Sequence, residues 1–246
     1  MRSFLKNILK DFFYKNNYII KKRNPFNDHL ERLKIVLNNV KIDGVIDVGA
    51  NKGQFLKQNI EVLKEFPTLI IEPLKIHNKQ LKFLKYKNIL EILNVCIGTK
   101  SDEVEINVSE NDVCSSILEL DKNSETEVPT ARYVNKLKVK CERLDYLIEN
   151  YFSSSDSLFI KVDVQGVEDD VLSSIGTLIE KVSFIYIELS FVKLYKNQKL
   201  WREIADHKIL KDFSIVDVNV IGASPSYGIA TQADMLFMRN KLNKLL

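Results

Sequence analysis

Cysteine is scarce: Cys96, Cys114 and Cys141 are three in 246 residues, and no Cys-x-x-Cys pair occurs. An odd number of widely spaced thiols indicates neither a zinc site nor a disulfide framework, so a reducing cytoplasm is the expected compartment. Eight glycines and five prolines argue against long disordered tracts. No apolar run approaches the roughly 18 residues of a membrane-spanning helix. The N-terminus lacks the uninterrupted apolar stretch and small-residue cleavage site of a secretory leader. Neither sign of charge is in large excess: 36 Lys and Arg against 33 Asp and Glu leave a formal +3, too little to imply nucleic-acid binding. No dense His/Asp/Glu cluster occurs, so no metal site is indicated, and there is no internal repeat. What is present, 45% hydrophobic and 28% charged residues, suits one α/β domain with additions.

The informative stretch is Val45-Ile-Asp-Val-Gly-Ala-Asn-Lys-Gly-Gln-Phe55. A short apolar run carrying one acid gives way to Gly49-Ala50-Asn51-Lys52-Gly53, then to helix-compatible residues from Gln54 to Leu63. That is strand, tight turn and helix, the opening unit of an open α/β sheet. Gly49 and Gly53 let the backbone turn sharply and approach a ligand. The ligand's polar end would lie over the free N–H groups at the helix start. The dinucleotide fingerprint Gly-x-Gly-x-x-Gly is not met: Asn51 stands at the middle glycine and no third glycine follows. This speaks against a pyrophosphate, and so against a nicotinamide-linked oxidoreductase on the same architecture. Asp47, in the strand itself, repels phosphate and suits an ammonium group. The next strand, Thr68 to Ile71, ends in Glu72 and Pro73, and an acid there can accept both hydroxyls of a ribose. A phosphate-free nucleoside with a zwitterionic tail fits all three features, and S-adenosylmethionine is such a molecule. The plainer reading, in which Asp47 and the glycines only shape the turn, stays open.

Further acids fall at similar places. Leu158 to Val164 is almost continuously apolar, as in a central parallel strand buried on both faces. It carries Lys161 and Asp163 and ends in Gln165-Gly166. Val182 to Leu189 repeats the pattern, with Glu188 near its end. Ligands of open sheets bind at the carboxyl ends of strands. Asp47, Glu72, Asp163 and Glu188 all fall near such ends, and buried carboxylates without partners are costly. Asp163 is the first candidate for a catalytic carboxylate: a base, a partner for the cofactor's amine, or a ligand to a divalent metal. Glu188 is the second, as base or as binder of a substrate hydroxyl, and Gln165 can orient cofactor or substrate. The plainer alternative makes Asp163 a helix cap or a partner of Lys161.

Ile89 to Ile97 reads as a third strand, with backbone groups of Cys96 and Ile97 placed to read a purine edge. Cys96 as a nucleophile is not expected, since a buried cysteine behaves as a small hydrophobe. Val104 to Val108 reads as a hairpin strand extending the sheet. Residues 109–130 form a polar loop insertion, where binding residues concentrate; Ser115 and Ser116 lie in it, equally well as a plain turn. Helices are expected over Leu74 to Tyr86 and Leu194 to Lys208. The last strands, Phe213 to Val218 and Asp234 to Met238, are expected to pair antiparallel. Their connection holds Tyr227, which either reaches the substrate cleft or caps the core, the latter being preferred.

The chain divides into an N-terminal extension, 1–40, and a catalytic domain, 41–246. Within the extension, residues 1–23 are basic and amphipathic, with Phe4, Leu5, Ile8, Leu9, Phe12 and Phe13 at helical spacing. Such a helix either lies on an anionic membrane surface or packs on the domain or across a homodimer interface; packing is the preferred reading. A non-catalytic module that binds a membrane or partner through it is the third functional class.

Val45 to Phe55 with Ile71-Glu-Pro73, Val95-Cys-Ile-Gly98 and Ile160-Lys-Val-Asp-Val-Gln-Gly-Val-Glu168 resembles the FkbM-type methyltransferases, from about residue 43 to about 238. The last block is the most specific. The resemblance implies a Rossmann-like class I fold: a seven-stranded, mostly parallel sheet with an antiparallel last strand and helices on both faces. It implies S-adenosylmethionine as cofactor and, for acceptor, a hydroxyl of a small molecule, sugar or glycan; no Asn/Asp-Pro-Pro-aromatic run occurs, which speaks against a nucleic-acid acceptor. It implies a cofactor site of Asp47, Gly49, Ala50, Asn51, Gly53, Glu72, Pro73, Cys96, Ile97, Asp163 and Gln165. It also places the serine-containing segment with Ser115 and Ser116 near the active site.

Overall fold

The computed structural model describes residues 10, 13–16, 24–25, 28–122 and 131–242. The readings placed on 1–23 lie almost wholly outside these residues, as does the 123–130 part of the insertion. Ten strands are described: β1 (Gly44–Val48), β2 (Thr68–Ile71), β3 (Ile89–Leu93), β4 (Val95–Ile97), β5 (Asp102–Ser109), β6 (Tyr133–Glu142), β7 (Leu158–Val162), β8 (Val182–Ser190), β9 (Phe213–Ala223) and β10 (Ala230–Arg239). Seven of them form one sheet in the order β3-β2-β1-β7-β8-β10-β9. β10 alone runs against the others, pairing antiparallel with β8 and β9; the remaining pairings are parallel. The strand order reverses between β1 and β7, the place where open α/β sheets bind ligands.

β1, β2 and β7 are buried at every position because the sheet is covered on both faces. On one face, Ile46, Val48, Ile160, Val162 and Ile185 pack against α5 (Leu144–Phe152) and α6 (Glu168–Ile175). On the other, Val45, Ile70, Phe159, Phe184 and Tyr186 pack against α1 (His29–Asn39), through Leu33 and Leu37, and against the short helices α2 (Gln54–Gln58), α3 (Ile60–Leu63) and α4 (Asn78–Lys82). Each fully buried side chain of this kind contributes roughly 1.5–3 kcal/mol, which is why these strands spell near-continuous apolar runs.

Four expected elements are interrupted, three of them by a polar side chain that bonds to backbone. The helix expected over 54–63 divides into α2 and α3 at Asn59, whose amide donates to Phe55 O at 2.9 Å. The helix expected over 74–86 is a 3₁₀ turn, Lys75–His77, followed by α4. The helix expected over 194–208 shrinks to α7 (Trp201–Ala205). There Gln198 Oε1 accepts the N–H groups of Leu194 and Tyr195, at 2.8 and 3.2 Å, and Asn197 adopts a left-handed conformation with φ 61°. The single strand expected over 89–97 ends at Asn94. Its amide donates to Glu72 O at 2.8 Å and exchanges bonds with the Asn78 amide at 2.8 and 2.9 Å.

Beyond Asn94 the chain enters a second sheet of order β4-β6-β5. Val104 to Val108 therefore does not extend the main sheet. β5 and β6 pair antiparallel with Glu103 and Glu105 set against Lys138 and Lys136. A ribbon with one such wet face has no place among strands buried on both sides.

Candidate active site

The carboxyl ends of β1, β2, β7 and β8 open into a cavity of about 300 Å³, at the lower end of usual small-molecule sites. Of the residues singled out in the sequence, Gly49, Ala50, Asn51, Glu72, Pro73, Cys96, Ile97, Ser115, Ser116, Asp163, Gln165 and Glu188 line it. Asp47, Gly53 and Tyr227 do not. Tyr227 is 78% exposed in the β9–β10 connection, so it neither reaches the cleft nor caps the core. Gly53 is the left-handed residue before α2, with φ 75°, and faces Leu84 and Leu81 behind the turn.

Asp47 stays out of the cavity, and so away from a cofactor's ammonium, for a different reason. It is fully buried, and the ammonium it meets belongs to the protein: Lys161 Nζ lies 3.2 Å from Asp47 Oδ1. The two residues are register partners on β1 and β7. Lys161 Nζ also donates to Gly49 O at 2.6 Å and lies 3.5 Å from Asp163 Oδ2. Burial pulls the Lys161 ammonium down, but Asp47 and Asp163 more than offset this and hold it above its ordinary value. Burial pushes the Asp47 carboxyl up, against Lys161. Lys161 thus fastens the glycine turn to the end of β7. The crossing is tight: a Cβ on Gly49, at φ +77°, would sit 1.8 Å from Asp163 O.

On the β2 side, Glu72 is buried with both oxygens bonded to backbone. Oε2 accepts from Asn51 N at 2.7 Å and Oε1 from Leu74 N at 2.8 Å. Burial pushes its carboxyl up to about 7, although these two N–H groups pull it back. Asn51 takes a left-handed conformation, φ 47°, and its side chain faces His77 Nε2 at 3.4 Å. The Cys96 thiol is pushed up to about 12 by burial, beside Cys141 and Glu72, so it is no nucleophile at neutral pH.

On the β7–β8 side, Gln165 Nε2 donates to Asp163 Oδ1 at 2.7 Å and to Glu188 Oε1 at 3.2 Å. The Gln232 amide reaches the same Glu188 oxygen from β10. Burial, then Asp163, Asp234 and Glu168, push the Glu188 carboxyl well above its ordinary value, with the Gln165 bond opposing. The insertion closes this side. Asn107 and Ser116 form a β-bridge, Ser116 Oγ donates to Gln165 O at 2.6 Å, and Ser115 Oγ accepts Ser109 N at 3.1 Å. Asp112 binds Lys52 Nζ at 2.7 Å, joining the insertion to the glycine turn.

A second polar cluster has the composition of a catalytic triad without its geometry. Ser173 Oγ and Asp169 Oδ1 both face His207 Nε2, at 3.1 and 3.7 Å, while Nδ1 accepts Ile209 N. A ring that accepts at Nδ1 carries its proton at Nε2, so it donates to the serine and cannot activate it. Among the described residues no group of His, Cys, Asp and Glu could hold a metal ion.

A site of this form, at the switch point of a sheet whose last strand alone is reversed, is that of a class I methyltransferase. The FkbM methyltransferase domain matches residues 47–224, and the chain belongs to that family. It is a methyltransferase, which sets aside the oxidoreductase and the non-catalytic module. The 2-O-methyltransferase NoeI of Sinorhizobium fredii is 24% identical over 180 residues, 70% of this chain and 72% of that protein. Among solved structures, a putative methyltransferase, yhhF, from Escherichia coli overlaps 89% of this chain and 88% of its own at 14% identity and TM-score 0.43. Magnesium protoporphyrin IX methyltransferase from Synechocystis PCC 6803, solved with bound S-adenosylmethionine, overlaps 95% and 96% at 13% identity and TM-score 0.41.

Proposed function

We propose that this chain is an S-adenosylmethionine-dependent O-methyltransferase whose acceptor is a hydroxyl of a small molecule, sugar or glycan. The observation that carries the reading is one cavity with two chemically distinct ends: Glu72 and the Gly49–Asn51 turn at one, Asp163, Gln165 and Glu188 at the other. The residues fit the cofactor. Glu72 would hold the ribose hydroxyls, Pro73, Cys96 and Ile97 the adenine, and the Gly49–Asn51 turn with Asp163 the amino-acid arm. Once bound, the sulfonium supplies an electrophilic methyl carbon. The chain's own task is to hold a hydroxyl in line and take its proton, which Glu188 or Asp163 does. Such positioning is worth roughly 7–11 kcal/mol. The Sinorhizobium fredii relative, a 2-O-methyltransferase, supports an oxygen acceptor. Three free cysteines support a cytoplasmic setting, and no described helix is long and apolar enough to cross a membrane.

Glu72→Ala tests the cofactor end. It is expected to weaken S-adenosylhomocysteine binding about 10- to 100-fold, the loss of charged hydrogen bonds, by titration calorimetry. The ionised carboxylate is the better acceptor of ribose hydroxyls, so wild-type affinity should rise with pH through about 7, and the variant should lose that rise. Unchanged affinity at every pH removes Glu72 from the site.

The lining also constrains the acceptor. Glu72, Asp163 and Glu188 face the cavity, with Asp112 held by Lys52, against Lys161 as the one lining cation among the described residues, and Lys161 is already held by Asp47 and Gly49 O. A phosphate or carboxylate beside the reacting hydroxyl would meet like charge, at a cost of several kcal/mol. Transfer from labelled S-adenosylmethionine is therefore expected to neutral polyols and glycosides in preference to their phosphorylated or carboxylated counterparts. The reverse preference would refute this charge assignment.

A further inference from the structure

Tyr195 lies outside the residues that line the cavity, 2% exposed and packed against Leu120 and Ala131. Its hydroxyl nevertheless reaches the site: of the two acceptors near it, Gln165 Oε1 at 2.8 Å is closer than Cys114 O at 3.3 Å, so the proton goes to Gln165. We infer that Tyr195 is a positioning residue for methyl transfer: its hydroxyl decides which end of the Gln165 amide faces Asp163 and Glu188, and so keeps the two carboxylates joined over the acceptor. The inference rests on the acceptor end proposed above.

The two ends of a glutamine amide are alike in shape and opposite in function, one donating and one accepting. Donation to Oε1 leaves Nε2 to bridge Asp163 and Glu188, as observed. A reversed amide would set Oε1 against two carboxylate oxygens. Everything else about Gln165 is already tied down. Its backbone is left-handed, φ 57°, and its carbonyl accepts from Ser116 Oγ, so the amide end is the remaining choice. The sequence makes room for this contact. A Cβ on Gly166, at φ +107°, would lie 3.0 Å from the Tyr195 ring, and Gln198 anchors Tyr195 N while bonding Ser190 Oγ at 2.9 Å. Both amides that reach Glu188 meet Oε1, leaving Oε2 for an acceptor hydroxyl. The groups around Glu188 are Asp163 and Lys161 on and after β7, Asp234 opposite it on β10, Glu168 on α6, Cys114 in the insertion, and Tyr195. Burial keeps the Tyr195 phenol protonated, well above its ordinary value, so it remains a donor through neutral pH.

The test follows the Glu188 carboxyl by carbon NMR in the full chain labelled with ¹³C-glutamate, the signal being assigned by its loss in Glu188→Gln. Tyr195→Phe keeps the ring and removes one oxygen. A donor to the charged form lowers the midpoint, so loss of the fixed amide should raise the Glu188 midpoint by about one pH unit, the size of a charge-assisted hydrogen bond. Gln165→Ala should give a similar rise, and adding Tyr195→Phe to it should give no more, because the hydroxyl acts only through the amide. If Tyr195→Phe does not fold, an unmoved midpoint in Gln165→Ala still overturns the inference, because the hydroxyl has no other route to Glu188. A folded Tyr195→Phe with an unmoved midpoint overturns the inference, as does a rise that adds fully to that of Gln165→Ala. S-adenosylhomocysteine affinity, measured alongside, should not change in Tyr195→Phe. Absence of binding in the wild type would sink the cofactor reading separately, whatever Glu188 does.

Discussion

Glu188→Gln is expected to lower turnover about 10²- to 10⁴-fold, the usual contribution of a general base, while S-adenosylhomocysteine affinity stays as in the wild type. The substitution is well matched to the site. Gln232 and Gln165 both donate to Glu188 Oε1, and a glutamine there still offers an oxygen to accept those bonds. What disappears is the charge. Glu188 is the better base of the two acids because burial and the neighbouring acids Asp163, Asp234 and Glu168 push its carboxyl up, bringing it nearer a hydroxyl's reluctance to lose a proton. The sign of the pH dependence follows. The base must be ionised, so turnover should climb with pH to a plateau once Glu188 has lost its proton, and that climb should vanish in the variant. Asp163→Asn serves as the counterpart. If it abolishes turnover with S-adenosylhomocysteine affinity unchanged, while Glu188→Gln retains most of its turnover, the base is Asp163 and Glu188 only binds the acceptor. If both variants keep full activity, neither acid takes the proton.

How far the sequence speaks for this site depends on what kind of interaction places each residue. Strands buried on both faces must be apolar throughout, so β1, β7 and β8 and the order of their turns are legible, and with them the edge on which Glu72, Asp163 and Glu188 stand. Charges inside such strands are legible as anomalies but not as partners. Asp47 reads as a ligand for a cofactor's ammonium because its neighbour across the sheet depends on register, and the pairing of Asp47 with Lys161 exists only once β1 lies beside β7. Polar side chains that bond to distant backbone leave no periodic trace. Asn94 ends β3 by reaching Glu72 O, 22 residues away, and Gln232 arrives at Glu188 from 44 residues away. Tyr195 sits in what reads as a helix, and only the turn held by Gln198 aims its hydroxyl at Gln165. The one faint signal was Gly166, a glycine directly after the strand end, where a Cβ would crowd the Tyr195 ring.

Lys161→Met is expected to cost about 3–5 kcal/mol of folding stability, the penalty for removing one partner of a buried ion pair, read by denaturant unfolding. Methionine matches the stem of lysine, so little packing is lost; the cost comes from what is left behind. Neither Asp47 oxygen has a hydrogen-bond partner among the described residues, and Lys161 is the cation beside Oδ1, at 3.2 Å. Without it the carboxylate is stranded in the sheet, and Gly49 O loses a donor at 2.6 Å. The pH dependence has a definite sign. Burial already raises the Asp47 carboxyl above its ordinary value, and losing the ammonium raises it further. A group whose folded-state pKa is raised costs nothing while it is protonated in both states, and costs most once the pH exceeds the folded value. The deficit of Lys161→Met should therefore be small in acid and grow as the pH rises. Asp47→Asn in the same background removes the stranded charge and should recover much of the loss, with the recovery also growing with pH. A deficit independent of pH, with no recovery on adding Asp47→Asn, would mean that Lys161 stabilises the chain through the Gly49 carbonyl rather than through Asp47, and that the turn rather than the ion pair is what it serves.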